Sequence, residues 1–370
     1  MVRERHCRLL LMSILAMILV SCEREDFGRP AMERLLPTEE ALKQLGMEEI
    51  WHCGIGRYPV RNVYLLDGLV CVETEKRKIY AIDAKAGVMK WQYQLDFHLD
   101  YPPCDNAEGV YMLIGDRLYA LEKDSGRVIW NRGLDFTPTA PPAANIGLVA
   151  VPSRHILNTL ETVDGTLAWY IRLHGQMFGA PVALGDFFFV GDDAGWIYCI
   201  NARLGEKVWQ RETRGPIQAP PFPMADICYV GSSDYKVYAL DPATGIEKWE
   251  TTTGSMVRTR PLGTADAVYA ESQGNGVVAL SADSGEERWR DREAERVLAV
   301  GTKRAYLLSK KPGVIRAVNA QSGELEKRIH VQQYKFFPTN YHTDHLYLVD
   351  EVGMVVCLRE KSEKAEAAAK

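Results

Sequence analysis

Apolar residues in this chain fall in short runs separated by turn-forming residues, and the arrangement recurs. Val237, Tyr238, Ala239 and Leu240 have the β-branched, aromatic and aliphatic character of a buried strand, and Lys248, Trp249, Glu250 and Thr251 read as a second strand. Between them Asp241 can bond the backbone two residues on, Pro242 presets φ, and Gly245 supplies a positive φ without a Cβ clash. The stretch predicts a hairpin. Its copies place glycines at Gly87, Gly126, Gly165, Gly205, Gly245, Gly285 and Gly323, spaced 39, 39, 40, 40, 40 and 38 apart. All but the last are followed four residues later by a tryptophan: Trp91, Trp130, Trp169, Trp209, Trp249 and Trp289. A period of about forty residues marks a repeat architecture, in which each unit buries its core only by stacking on its neighbours.

Six residues before each glycine stands a small or modest side chain: Ala81, Ala120, Thr159, Cys199, Ala239, Ala279 and Ala317. These positions are expected to seat the indoles. One buried indole, at about 200 Å² and about 25 cal/mol per Å², contributes up to ~5 kcal/mol. Upstream of the hairpins lie further apolar runs, such as Ile227 to Val230 and Ala267 to Ala270, and prolines recur at Pro102, Pro141, Pro181, Pro220 and Pro261, with Pro338 near the end. Proline lacks a ladder donor and is tolerated at the first residue of a strand, so it marks where each sheet begins. With no sustained helical periodicity between Tyr58 and Leu358, the pattern predicts an all-β fold, an eight-bladed β-propeller of four-stranded antiparallel blades.

The ends of the chain supply the eighth blade. Glu49-Ile50-Trp51-His52-Cys53 is a tryptophan strand with no hairpin before it, and Trp51 precedes Trp91 by 40 residues. Leu346 to Val349 and Met354 to Leu358 look like the inner strands of a blade lacking its last. Joining the two closes the ring and removes exposed sheet edges. The seventh unit departs from the pattern, with Lys327 in the tryptophan position and no proline near Val300, so it is expected to be the least regular.

Residues 1–21 carry Arg3, Arg5 and Arg8, then the apolar run Leu9 to Val20, and read as an export signal too short to serve as a permanent span. Leu19-Val20-Ser21-Cys22 resembles a bacterial lipobox, which makes Cys22 the expected lipidation site; acyl chains there would hold the protein at a membrane. Glu23 in place of aspartate favours the outer membrane. Residues 22–48 read as a tether with one short helix, capped by Thr38, favoured at its start by Glu39 and Glu40 and ended by Gly46. The propeller is expected over residues 49–359 and a disordered tail over 360–370.

Composition changes little in this picture. The chain has 370 residues, 46% hydrophobic and 25% charged, with a formal charge of −5, which becomes −7 without the signal's three arginines and one glutamate. A mildly acidic protein gives no support to nucleic-acid binding. Beyond Cys7 and Cys22, the cysteines are Cys53, Cys71, Cys104, Cys199, Cys228 and Cys357, and no two form a CxxC pair. Cys199, Cys228 and Cys357 read as buried thiols. Cys53 and Cys357 fall on adjacent strands of the blade that joins the termini, so a disulfide between them is the alternative for that pair.

Candidate chemistry is sparse. His342, Asp344 and His345 in YHTDHLY are the one close histidine pair and its acid, with spacing that suits no strand face and no third ligand. Asp192 and Asp193 in GDDAG, and Ser232, Ser233 and Asp234 in GSSDY, recur between the second and third strands of their units and read as turn chemistry rather than calcium loops. No GxSxG, HExxH or phosphate loop is present, and inter-blade loops read as too short to build a lid.

AIDAKAGVMKW, ALDPATGIEKW and ALSADSGEERW resemble the tryptophan-docking repeat, AxDxxTGxxxW, of quinoprotein dehydrogenases and of related propellers that bind no quinone, over Trp51 to Leu358. The resemblance implies the fold and not the cofactor. The quinoprotein enzymes carry an adjacent Cys-Cys disulfide, long insertions and calcium-binding carboxylates, whereas this chain has no adjacent cysteines. With its lipobox, its tether containing Leu36-Pro37-Thr38 and its short-looped repeats, the chain resembles the BamB family of lipoprotein scaffolds in outer-membrane β-barrel assembly. That resemblance implies no catalysis and no cofactor. It implies a protein partner contacted through linkers between blades, corresponding here to His174 to Phe178 and Gly215 to Gln218, which are shorter and lack the family's aspartates. The expectation is a non-catalytic interaction scaffold, lipid-anchored at the periplasmic face of the outer membrane. The alternatives are a lipoprotein propeller with an unrelated partner and a reduced quinoprotein dehydrogenase, which would need pyrroloquinoline quinone and calcium.

Overall fold

A computed structural model of the chain describes residues 42, 46–56 and 58–361, all within one compact unit. These residues form eight separate sheets, each of four antiparallel strands: an eight-bladed β-propeller. Blade 1 runs through Val60–Leu66, Leu69–Thr74, Lys78–Asp83 and Met89–Gln94, and the next blades occupy 104–133, 143–172, 182–212, 222–252, 262–291 and 294–330. Blade 8 takes three strands from Tyr334–Phe336, Leu346–Asp350 and Met354–Glu360, and its outer strand from Met47–Gly54. The second and third strands of each blade are almost wholly buried, which is why they read as unbroken apolar runs, while outer strands such as Glu247–Thr252 alternate. Cys22, the signal, the tether up to Leu45 apart from Leu42, Arg57 and residues 362–370 lie outside the described residues. Glu360, expected in the tail, instead ends a strand and is buried.

Each outer-strand tryptophan is docked on the following blade. A Cβ added to Gly87 would lie 2.5 Å from the Trp51 ring, and one added to Gly245 2.6 Å from the Trp209 ring; Gly126, Gly165, Gly205, Gly285 and Gly323 stand in the same relation to Trp91, Trp130, Trp169, Trp249 and Trp289. The indole nitrogen then donates to the carbonyl three residues before that glycine, as in Trp51 to Ala84 at 3.0 Å and Trp249 to Ala282 at 2.8 Å. The small residues stand beside the indoles of their own blades: Ala81 and Ala239 are the cross-strand partners of Trp91 and Trp249, at the point where the pairing skips a residue. The turn glycine thus satisfies two demands, a left-handed φ of +71° at Gly245 and a bare surface for the neighbouring indole.

Lys327, exposed in blade 7, follows from the same geometry. Its indole would need a turn between the third and fourth strands of blade 8, and there the chain ends interrupt the blade. That interface is closed by charge. Glu360 Oε2 accepts the Lys303 N–H at 3.1 Å and the Thr302 hydroxyl at 3.2 Å, and the Arg304 guanidinium covers Gly46, which has φ +65°. Lys361 N–H donates to the Gly46 carbonyl at 2.9 Å. Blade 7 is irregular where the missing proline suggested: its inner strand Ala294–Val300 pairs over seven residues with two register shifts, against two residues for Phe222–Pro223.

The disulfide considered as the alternative for Cys53 and Cys357 is not formed. Register sets Cys53 opposite Val355 and Trp51 opposite Cys357, so the two cysteines are diagonal neighbours, about 7–8 Å apart in such a ladder, beyond the Cα spacing of about 4.4–6.8 Å that a disulfide spans.

One loop within a blade is long enough to cross the ring, a length that the expectation of short loops between blades does not cover. Residues 337–345 leave the inner strand of blade 8, and Asn340 N–H donates to Leu298 O of blade 7 at 2.8 Å. Tyr341 reaches the inner strands of blades 5 and 6, its hydroxyl donating to Arg260 O at 3.2 Å and its ring packing 6.1 Å from Phe222. His342 faces Arg260 on one side of the bore and Asp67, Asp105 and Lys123 on the other; burial first, then Arg260, lower its pKa. Beneath lies Glu271, whose pKa burial pushes up to about 7 against the smaller opposing effect of Arg296 and of bonds to Thr259 and the Val297 N–H, with Glu295 and Tyr341 also facing it.

Three outcomes are expected. Gly245→Ala forces a Cβ into an indole at a left-handed φ and lowers unfolding stability by about 2–5 kcal/mol in denaturant titration. Trp289→Ala loses about 3–5 kcal/mol, whereas Lys327→Trp changes stability by less than about 0.5 kcal/mol, having no glycine turn to meet. Glu271 binds its proton more tightly folded than unfolded, so stability falls as pH rises from about 4.5 to about 7 and then levels, by up to about 3 kcal/mol; Glu271→Gln removes that contribution, read as a flatter unfolding free energy across the same window.

Candidate protein-interaction face

Antiparallel blades put two kinds of connection on one face of the ring: the linkers from one blade to the next, and the turns between second and third strands. Asp193, in such a turn of blade 4, accepts the Gln176 N–H of the linker between blades 3 and 4 at 2.7 Å and donates its own N–H to Gln176 O at 2.9 Å. The linkers 173–181 and 213–221, which contain the segments predicted for partner contact, lie on this face.

Both are pinned from below by apolar pegs. Met177, Ile217 and Val257 are fully buried, and Ile217 and Val257 press on Gly191 and Gly231, where an added Cβ would fall 2.2 and 2.4 Å from them. The residues after Met177 and Val257 point outward: Phe178 is 46% exposed and Arg258 is exposed.

Carboxylates fix the linkers from the side. Asp192 is fully buried and accepts Gly175 N–H at 2.7 Å, Trp196 N–H at 2.9 Å and the Tyr198 hydroxyl at 2.8 Å. With the phenol hydrogen spent on Asp192, His174 Nδ1, 2.8 Å from the same oxygen, must be the donor; its ring stacks on Trp196 at 4.8 Å. Burial, and then Asp192, push the Tyr198 pKa up. In blade 5, Asp234 accepts Arg214 N–H at 3.1 Å and the Tyr238 hydroxyl, and the Ser232 hydroxyl donates to Gly215 O at 3.1 Å. The acidic turns are therefore structural clamps on the linkers. Among the described residues no group of three or more His, Cys, Asp or Glu is placed to hold a metal, and His342, Asp344 and His345 lie in the bore-crossing loop.

Backbone strain adds a second signal. Arg77, Arg154 and Tyr235 hold φ of 56°, 54° and 72°, and all three stand in turns between second and third strands, on this face. Blades 4, 7 and 8 use Gly195, Gly313 and Gly353 just before the third strand, where blades 1 and 5 have Arg77 and Tyr235. A bulky residue with positive φ is a genuine outlier, and such strain concentrates at functional sites. Tyr235 is 46% exposed, as is Phe178. Sequence reasoning did not single out Tyr235 or Phe178, because strand periodicity says nothing about which turn residues project.

The fold and this face can be set beside known proteins. A family profile described as Outer membrane protein assembly factor BamB matches residues 114–220 and 193–335. Among solved structures, BamB from Moraxella catarrhalis superposes with a TM-score of 0.71 at 18% identity, covering 86% of this chain and 98% of that one. The computationally designed protein Ika8 gives a TM-score of 0.66 at 14% identity, covering 84% and 99%. Both likenesses are of fold. A tetrathionate hydrolase from Acidithiobacillus ferrooxidans is 25% identical over 146 residues, 40% of this chain, and this chain spans only 27% of that protein's length. The profile match runs from residue 114 to residue 335, more than half of the sequence, and on that ground the chain belongs to the family of outer membrane protein assembly factor BamB.

Proposed function

We propose that this protein is a non-catalytic scaffold in outer-membrane β-barrel assembly, anchored through acyl chains on Cys22 at the periplasmic face of the outer membrane, and that it docks a protein partner on the linker face between blades 3 and 5. One observation carries the reading: Tyr235 is held exposed at a left-handed φ beside linkers that pegs and clamps make rigid, where glycine would be less strained. Pre-ordered linkers lower the entropy cost of docking, and projecting aromatics are the usual anchors of protein interfaces. Family membership supports the scaffold role.

A catalytic reading has one observation in its favour, the similarity to a tetrathionate hydrolase. That similarity covers 40% of this chain and 27% of the hydrolase's length. In the quinoprotein variant of the reading, a cofactor placed in the bore would have to share it with Tyr341 and His342.

The test uses the protein in its native membrane. A photoreactive amino acid at Phe178 or Tyr235 should capture a barrel-assembly component in cells, while one at Ile129, exposed on an outer strand, should not. Tyr235→Gly relieves the backbone and should leave stability unchanged or raise it by up to about 1 kcal/mol, yet reduce capture from Phe178 several-fold. Capture from Ile129 alone, or capture indifferent to Tyr235→Gly, would remove the linker face from the account.

A further inference from the structure

Arg260 stands at the inner end of the linker between blades 5 and 6, beyond the segments proposed for docking. It precedes Pro261 at the start of the inner strand of blade 6 and projects into the bore. Its guanidinium carbon lies 4.9 Å from the centre of the Phe222 ring and 4.7 Å from that of Tyr341, and those centres are 6.1 Å apart, so the two rings sit side by side against the guanidinium rather than on opposite faces of it. Aromatic faces attract the cation but accept none of its five N–H groups, which can be satisfied only within the plane.

Nothing in the described protein satisfies them. Nε is buried and has no hydrogen-bond partner. The titratable groups facing Arg260 are the Tyr341 phenol, the Cys228 thiol and the His342 imidazole, none of them a carboxylate. Glu271 faces Tyr341 and Arg296 instead. Arg260 as a whole is half-buried, and a buried donor such as its Nε is as a rule paired.

We propose that the bore of the ring is a binding site for a small oxyanion, a carboxylate, sulfate or phosphate group, taken by the Arg260 fork on the side that Phe222 and Tyr341 leave open. A planar guanidinium fork presents two parallel N–H groups, the geometry that matches two oxygens of such a group. The bore-crossing loop completes the site by placing Tyr341 against the guanidinium. This site shares no residue with the proposed docking surface around Phe178 and Tyr235.

Thermal unfolding of the whole protein in sodium succinate, sulfate or phosphate, each against sodium chloride at equal ionic strength, tests the site. At least one oxyanion should raise Tm by several degrees along a saturable curve in the millimolar range, and the order of the three identifies the preferred group. Sulfate and phosphate also stabilise proteins generally, without saturation. Arg260→Gln, which removes an unpaired charge, should melt in chloride at or above the parent and lose the saturable part only. Identical curves for parent and variant would overturn the proposal. Should Arg260→Gln fail to fold, crystals of the parent soaked in selenate give the same decision: an anomalous peak in the Arg260 plane supports the site, and water alone there overturns it.

Discussion

The ring depends on one contact repeated seven times, an indole laid on the turn glycine of the next blade with its N–H on the carbonyl three residues before that glycine. A four-stranded blade cannot bury both of its faces by itself. The contact joins each blade to its successor through one large apolar surface and one directed hydrogen bond, and it fixes angle as well as distance. Trp51, Trp91, Trp249 and Trp289 are nearly buried by it, while Trp130, Trp169 and Trp209 keep an exposed edge. Because the glycine is bare and left-handed for the same reason at each position, the period of about forty residues is a consequence of this docking rather than of any single strand.

Where the chain ends meet, the contact cannot be made, and the substitution of Lys327 for tryptophan and of a Glu360–Arg304–Gly46 cluster for the staple follow together. The same region sends the loop 337–345 across the bore. Closure by charge and a loop rooted in the last blade set this sector apart from blades 3 to 5, whose linkers are instead fixed by pegs and carboxylate clamps. The rigid linkers and the bore therefore suit different uses, the first docking and the second an unpaired cation at Arg260.

Much of this was legible in the sequence. The glycine-tryptophan spacing, the prolines before inner strands and the orphan strand at Trp51 predict eight blades and their splice, since each depends on a local rule of turn or strand chemistry. The partner of the indole was not legible: the sequence pairs Trp249 with Gly245 four residues away, whereas docking pairs it with Gly285, and only the ring geometry distinguishes them. The diagonal offset of Cys53 and Cys357 turns on a one-residue bulge at Ile50 that no strand pattern reveals. Tyr341 and Arg260 are 81 residues apart, and nothing in the periodicity hints that a short loop crosses to meet that arginine. His174, Asp192 and Tyr198 likewise read as unrelated residues until the linker is folded over the turn.

Hydrogen exchange of the protein in its native membrane complex, compared with the detergent-released chain, tests the central claim most directly. The account predicts added protection at residues 173–181, 213–221 and 232–235 in the complex, with the outer strands unchanged. Protection confined to outer strands such as Leu167–Arg172, with the linkers exchanging as in the released chain, would contradict it.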